Sequence, residues 1–248
     1  MRVLPDARVR AAAVVLAGGS GSRVGADVNK AYLPLAGAHV VSWSLRTACR
    51  LAGIGPVVLV VRPEDDTLAR SVLAADLPDA AIRRVEIVAG GATRQGSEHA
   101  ALDALADRIA AGGLDVVALH DGARPLASTA LWRTVIETAT RRGGAVPGLP
   151  VEPVVGVVDG VLAPPPAGAH LLVRMQTPQA FGAAALLAAY ELARARGIET
   201  TDTAGTVRAC SVVDVRVVPG SPLNLKVTYP HDLAVAERLI CLHRAELG

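Results

Sequence analysis

Four apolar runs, each followed at once by a loop rich in glycine or charge, recur between residues 11 and 125 of this 248-residue chain. They read "AAAVVLAGG", "GPVVLVVRP", "RRVEIVAGG" and "LDVVALHDGARP". Runs of this length without polar alternation belong to strands buried on both faces, as in a parallel sheet. Between them stand segments of helical character. "VVSWSLRTACRLAG" has Gly53 as its expected C-cap, and "PEDDTLARSVLAA" carries an acidic first turn. "RQGSEHAALDALADRIAAGG" closes on glycines, and "STALWRTVIETATRRGG" runs from Ser128 as N-cap to Gly143 as C-cap. The alternation predicts an α/β fold: a doubly wound, mostly parallel, Rossmann-like sheet with helices on both faces. Apolar residues make up 51% of the chain and aromatics only 2%, so Ala, Val and Leu must build the core. Small aliphatic side chains suit strands covered by Ala-rich helices.

The alternation breaks between residues 145 and 169, in "AVPGLPVEPVVGVVDGVLAPPPAGA". Prolines and glycines interrupt short β-like pieces there, and "VDG" after "GVV" predicts a hairpin. We expect a protruding β arm over roughly residues 147–172, of the kind that joins dimers; an untidy surface loop is the plainer alternative. Regular structure resumes with the helix "AAALLAAYELARARG", the strand "DVRVVPGS" and the closing helix "HDLAVAERLICLHRAEL". Without repeats or a low-complexity linker, residues 1–248 read as one domain with an arm.

Bulk properties exclude several classes. A net charge of +2 gives no electrostatic footprint for nucleic acid or for a membrane surface. Cys49, Cys210 and Cys241 lie far apart and form neither a metal spacing nor a disulfide framework, so free thiols are expected. The first apolar run, residues 11–17, has strand length and is too short for a membrane span, and no signal peptide is evident. The expectation is a cytoplasmic protein.

In open parallel sheets, ligands bind beyond the carboxyl ends of the strands. Four loops follow strands here: residues 18–30, 90–97, 120–125 and 219–228. The fold predicts that they meet at one crevice. The first loop, in "LAGGSGSRVGADVNKAYLPL", lacks both the Walker pattern and the dinucleotide fingerprint. Gly18, Gly19, Ser20 and Gly21 can still turn backbone N–H groups toward a polyphosphate, with Arg23 and Lys30 adding full charges. A flexible loop with two solvated cations is the bland reading of the same residues.

The wider pattern is more specific. "LAGGSGSR" after a strand, with Lys30 ahead of "AYLPLAG", resembles the start of nucleotidyltransferases that activate phosphorylated sugars and alcohols. "VAGGATRQGS" (88–97), "HDGARP" (120–125), "QTPQAF" (176–181), "TTDTAG" (200–205) and "LNLKVTYPHDL" (223–233) then resemble, in order, the motifs of the 2-C-methyl-D-erythritol 4-phosphate cytidylyltransferases and the related ribitol-phosphate cytidylyltransferases. The likeness runs from about residue 11 to residue 240.

That resemblance implies an enzyme of isoprenoid precursor synthesis, and the arm predicts that it is a homodimer. It would join CTP to an alcohol phosphate with Mg²⁺, giving a CDP-alcohol and pyrophosphate. Arg23 and Lys30 match the family's triphosphate grip, and Lys226 a third cation near the α-phosphate. By the same resemblance, Ala17, Gly18, Gly90 and Gly91 provide backbone contacts to the base, with Ser97 adding a hydroxyl. Asp121 matches an acid near the ribose and the metal–phosphate region. Arg124, Thr177 and Asp202 stand as candidate acceptor-binding residues, with structural roles as their alternative. His120 reads as structural, because an acceptor phosphate is already a nucleophile at pH 7 and needs no base.

Four positions depart from the family. Pro153 and Val154 stand where an acceptor-binding Asp-Thr pair is usual, and Asn29 replaces a proline before Lys30. The arginine usual upstream of "QTPQ" is absent from its place, Arg174 lying elsewhere on the strand. Three readings stay open on sequence: a methylerythritol-phosphate enzyme, a cytidylyltransferase with another acceptor such as a polyol phosphate or phosphonate, and a non-catalytic CTP-binding paralogue.

Overall fold

A computed structural model describes residues 9–19, 29–151, 156–159, 161–163 and 172–247. The first strand, β1 (Ala11–Leu16), is followed by a small hairpin of β2 (Pro34–Leu35) and β3 (Ala38–His39) and then by α1 (Val40–Arg50). Strand β4 (Ile54–Val61) leads to α2 (Asp66–Asp76) and the short α3 (Asp79–Ile82). Next come β5 (Val85–Ala89), α4 (Arg94–Ala110), β6 (Val116–Asp121) and α5 (Thr129–Arg142). The chain continues through β7 (Gly144–Pro150), β8 (Gly156–Val158), β9 (Val161–Ala163), β10 (Val173–Met175) and β11 (Gln179–Gly182). It ends with α6 (Ala183–Arg196), α7 (Thr203–Cys210), β12 (Val215–Pro219) and α8 (Pro230–Leu247).

Eight strands form the main sheet, in the order β10-β7-β11-β6-β1-β4-β5, with β12 added alongside β7. The four strands read from sequence pair in parallel as β6-β1-β4-β5. Strand β11 runs antiparallel between β6 and β7, which makes the sheet mixed beyond β6. Alternate residues of β1 serve opposite layers. Ala11, Ala13 and Val15 pack with Leu45 of α1, Val72 of α2 and Trp132 of α5. Ala12 and Val14 pack with Leu102 and Leu105 of α4 and with Leu186 and Tyr190 of α6. Both faces are therefore buried, as the continuous apolar runs require. A smaller cluster joins α8, through Ala236 and Ile240, to Trp43 of α1 and to Val227.

The expected caps at Ser128 and Gly143 are both present: the Ser128 hydroxyl accepts from Leu131 N–H, and Gly143 is left-handed. Helix α1 ends two residues before its expected cap, at Leu51, and Gly53 instead takes a positive φ of 87° in the following turn. Strand β7 was hidden by Pro147 and Pro150. Sheet pairing tolerates Pro147 because its carbonyl still accepts, from Gln176 N–H. A Cβ at Gly148 would lie 2.8 Å from Val217 Cγ1, so the break-like glycine is what lets β12 approach. Residues 144–150 thus belong to the sheet. Val151 N–H bonds to the Leu172 carbonyl at the base of the arm, and the predicted hairpin is the β8–β9 pair. Pro153 and Val154 lie outside the described residues.

Candidate functional site

Leu16, the last residue of β1, stands directly opposite Asp121, the last of β6. The chain runs from β1 outward to β4 and β5, then returns to β6 on the other side of β1. The order reverses between β1 and β6, and such switch points open a crevice beyond the strand ends. A cavity of about 290 Å³ occupies this place. Its walls come from all four loops singled out in the sequence: residues 16–19 and 29–31, residues 91–94 with Ser97, Asp121 with Ala123, and Lys226.

Small residues form one wall. A Cβ at Gly90 would sit 2.7 Å from Ser97 Oγ, and one at Gly91 would sit 3.0 Å from Gly96 Cα. The two glycines therefore let the second loop fold down onto the start of α4. Ser97 Oγ donates to the Gly91 carbonyl and also faces Gly18. Ala17, Gly18, Gly19, Gly91 and Ser97 line the cavity, while Gly90 lies beneath it with its N–H bonded to the Val61 carbonyl. Ala17 N–H is spent on the Val60 carbonyl. Ser20, Gly21 and Arg23 lie outside the described residues.

Helix α4 points its N-terminus into the cavity. Thr93 caps it by accepting from Gly96 N–H, and Ala92, Thr93 and Arg94 form the rim. The free N–H groups and dipole of a helix N-terminus favour an anion.

Lys30 sits on a one-turn helix, residues Lys30–Tyr32, that Asn29 anchors. The Asn29 amide donates to the Ala17 carbonyl (2.6 Å) and to Asp65 Oδ2 (2.8 Å), while its oxygen accepts from Ala31 N–H. Arg62 holds Asp65 through two bonds of 2.8 Å. A proline could make none of these side-chain bonds. Asn29 thus ties the far end of the first loop back to the end of β1, and Lys30 borders the cavity as a result.

Three cations meet at Asp121. Arg94 Nη1 lies 2.5 Å from Oδ1, and Lys226 Nζ 2.8 Å from Oδ2, with Arg124 Nε 3.5 Å from Oδ2. Burial alone would raise the carboxyl pKa, but Arg94, Lys226 and Arg124 outweigh it and hold the group far below the usual carboxylate range. Arg94 also donates to Glu98, and its two carboxylate partners overcome the burial that would otherwise favour the neutral form. Among the described residues that line the cavity, Asp121 is the only acid.

The Lys226 loop is fastened from below. Val227 N–H bonds to the Ala123 carbonyl, Gln176 Nε2 to the Ser221 carbonyl, and Asn224 Nδ2 to the Thr177 carbonyl. Arg124 donates to the Asn224 carbonyl at 2.8 Å, so it orders the junction between two loops. Thr177 is equally internal: its hydroxyl accepts from Asp121 N–H and pairs with His120 Nδ1, each at 3.0 Å. His120 Nε2 faces the Arg124 carbonyl, which can only accept. The neutral ring therefore carries its proton on Nε2, and Nδ1 accepts from Thr177. Burial drives the His120 pKa down to about 4. Asp202 does not line the cavity; it caps α7, its Oδ1 accepting from Gly205 N–H at 2.6 Å.

Sequence reading, through the strand-end loop for Lys30 and through the family motifs for Ser97, Asp121 and Lys226, brought out four residues that the structure gathers at one cavity. It passed over Asn29 as a site residue, and also Arg94 and Glu98. Arg94 had a local signal, a lone cation at the start of a helix that follows paired glycines. Glu98 had none, because its partners Tyr190 and Thr203 are 92 and 105 residues away.

The described residues contain no group of three or more His, Cys, Asp or Glu that could hold a metal, and no helix long and apolar enough to cross a membrane. Comparison with known proteins agrees with the geometry. The model of the family described as IspD, 2-C-methyl-D-erythritol 4-phosphate cytidylyltransferase, matches residues 11–241. A protein of that name from Cereibacter sphaeroides is 38% identical over 231 residues, covering 93% of this chain and 97% of the relative. The 4-diphosphocytidyl-2C-methyl-D-erythritol synthase of Anaerococcus prevotii superposes with a TM-score of 0.77 at 25% identity, over 94% of this chain and 96% of its own. The cytidylyltransferase of Thermus thermophilus gives 0.67 at 29% identity, over 92% and 98%. With its strand-end crevice, its motifs in order and nearly its whole length matched, the chain belongs to the 2-C-methyl-D-erythritol 4-phosphate cytidylyltransferase family.

Proposed function

We propose that this chain transfers the cytidylyl group of CTP to 2-C-methyl-D-erythritol 4-phosphate, a step toward isoprenoid precursors. The carrying observation is the convergence of Lys30, Arg94, Lys226 and the α4 N-terminus on a cavity whose single lining acid among the described residues is Asp121. A phosphate oxygen of the acceptor attacks the α-phosphorus of CTP. The new P–O bond forms as the bond to the β-phosphate oxygen breaks, and pyrophosphate leaves with that electron pair. Both reactants are anions, so the protein's task is to cancel charge and align the groups.

Lys30 and Lys226 supply that charge, and by the family resemblance Arg23 does as well. Lys226 can exchange its contact with Asp121 for a phosphate oxygen, because its side chain is 36% exposed. The small wall of Gly18, Gly91 and Ser97 suits a flat base edge, with the Ser97 hydroxyl as a polar contact. His120 takes no part as a base: both ring nitrogens are engaged inside the protein. Burial first, and then the charges of Arg94 and the exposed Arg174, disfavour the Arg124 charge, which suits an anionic acceptor beside it.

One carboxylate at the mouth of a polyphosphate site fits Mg²⁺, which keeps several waters and takes few protein ligands. Asp121 is the residue that would hold it, together with the nucleotide's phosphates. A bound divalent ion would neutralise triphosphate charge. We further propose a homodimer joined through the arm between Val151 and Leu172, and a cytoplasmic setting.

The test is pyrophosphate release from CTP with Mg²⁺, against a panel of acceptors. Turnover with 2-C-methyl-D-erythritol 4-phosphate, and much less with ATP, GTP or UTP in place of CTP, is expected. A second reading, with a polyol phosphate or phosphonate as acceptor, draws on Pro153 and Val154 standing where the family pattern has Asp-Thr. Faster turnover with such an acceptor would select it. Tight CTP binding with no turnover on any acceptor would overturn both readings and leave a CTP-binding paralogue. Light scattering that gives a monomer at micromolar concentration would refute the dimer.

A further inference from the structure

Glu98 is a carboxylate with 1% exposure, one turn inside α4 and away from the cavity surface. Its Oε1 accepts from Arg94 Nε (3.1 Å) and from the Thr203 hydroxyl (2.7 Å), and its Oε2 accepts from the Tyr190 hydroxyl (2.6 Å). Thr203 belongs to α7 and Tyr190 to α6, and neither residue lines the cavity. Burying a charge this deeply is costly, and an ion pair of this kind seldom stabilises a fold more than apolar packing would. The network therefore calls for a reason beyond stability.

That reason lies in how the three cations around Asp121 are held. An incoming triphosphate attracts all of them. Arg124 is tethered by its bond to the Asn224 carbonyl. Arg94 is tethered by Glu98, which α6 and α7 hold in turn. Among the described residues, the Lys226 ammonium has Asp121 as its recorded partner and no such tether.

We propose that Glu98 is a positioning residue of the nucleotide site. It fixes Arg94 as the standing partner of Asp121, so that Lys226 is the cation that moves to the phosphates. The inference rests on the CTP-dependent reading above. Its effect runs through Arg94 rather than through contact with substrate. Replacing Glu98 by Gln keeps acceptors for Arg94 and Thr203 but removes the charge that restrains the guanidinium. Arg94 is then drawn toward the triphosphate, and Asp121 loses its fixed partner.

The experiment is a double-mutant cycle on the full chain with E98Q, R94A and the double variant. It reads the Kd for CTP with Mg²⁺ by calorimetry, and KM for CTP and kcat by pyrophosphate release. E98Q is expected to shift Kd and KM for CTP by about 10-fold with a smaller change in kcat, and by less than about 2-fold in the R94A background. A purely structural Glu98 would leave KM for CTP unchanged whatever happens to Tm, or add its effect to that of R94A in full; either result overturns the proposal. Should E98Q fail to fold, Y190F and T203V each remove one bond to Glu98 and should shift KM for CTP by about 2- to 3-fold, again only while Arg94 is present. No shift in either variant also overturns it. Calorimetry separates the two levels of inference. CTP coupling without turnover on methylerythritol phosphate would defeat the acceptor assignment alone, whereas a wild-type chain that binds no CTP would defeat both.

Discussion

Lys226 Nζ lies 2.8 Å from Asp121 Oδ2, two residues brought together from the loop after β12 and the end of β6. The pair occupies the mouth of the cavity, where a triphosphate would compete for the lysine. On the proposed function, Asp121 holds the place that a triphosphate oxygen takes on Lys226.

Replacing Asp121 by Asn should leave Arg94, Arg124 and Lys226 without their shared carboxylate. Removing one partner of a buried ion pair costs about 3–5 kcal/mol, which the exposure of Lys226 should reduce. Thermal denaturation should show a Tm several degrees lower. Added CTP or tripolyphosphate should recover more Tm in D121N than in the native chain, since the anion replaces the missing charge. Equal recovery in both would show that phosphate and Asp121 do not share these cations.

Lys226→Ala should lower kcat for pyrophosphate release by about 10²- to 10³-fold, the loss associated with one charge-stabilising contact in a transition state. Its partly exposed side chain predicts little change in Tm. A fully active variant would remove Lys226 from the reaction.

Asn29→Ala deletes three side-chain bonds and leaves Asp65 paired with Arg62. Each buried group left unpaired costs about 1–3 kcal/mol. Because Lys30 rides on this turn, KM for CTP should rise along with the loss of stability. A fall in Tm with CTP kinetics untouched would show that Lys30 does not depend on Asn29.

The pH dependence of stability should carry a His120 signature. Its pKa is near 4 in the folded chain, against an ordinary 6.5. Below pH 6.5 the unfolded chain binds a proton that the folded chain refuses, so stability falls as pH drops from 6.5 toward 4. The full effect is on the order of 3 kcal/mol. Chemical denaturation at pH 7 and pH 4.5 should show this loss, and His120→Gln should shrink it. The same burial predicts that kcat has no rate-determining titration of His120 between pH 6 and 8. A histidine-dependent acid limb in that range would restore His120 as a candidate base.

The apolar runs and helical segments were enough to place β1, β4, β5 and β6 and to bring four loops to one crevice. Strand burial and helix periodicity are local properties, legible wherever the core contact repeats along the chain. Lys30 was legible from its strand-end loop, whereas Ser97, Asp121 and Lys226 were picked out by the family motifs in which they stand. What tertiary structure alone decided is which partner each side chain takes. Pro147 disguised β7, whose pairing with β12 depends on a strand some 70 residues later. Glu98 joined Arg94 to Tyr190 and Thr203 only once α6 and α7 had packed against α4. The sequence sets the elements through local periodicity; partners far apart along the chain are chosen by distance in space, which exists only in the folded sheet.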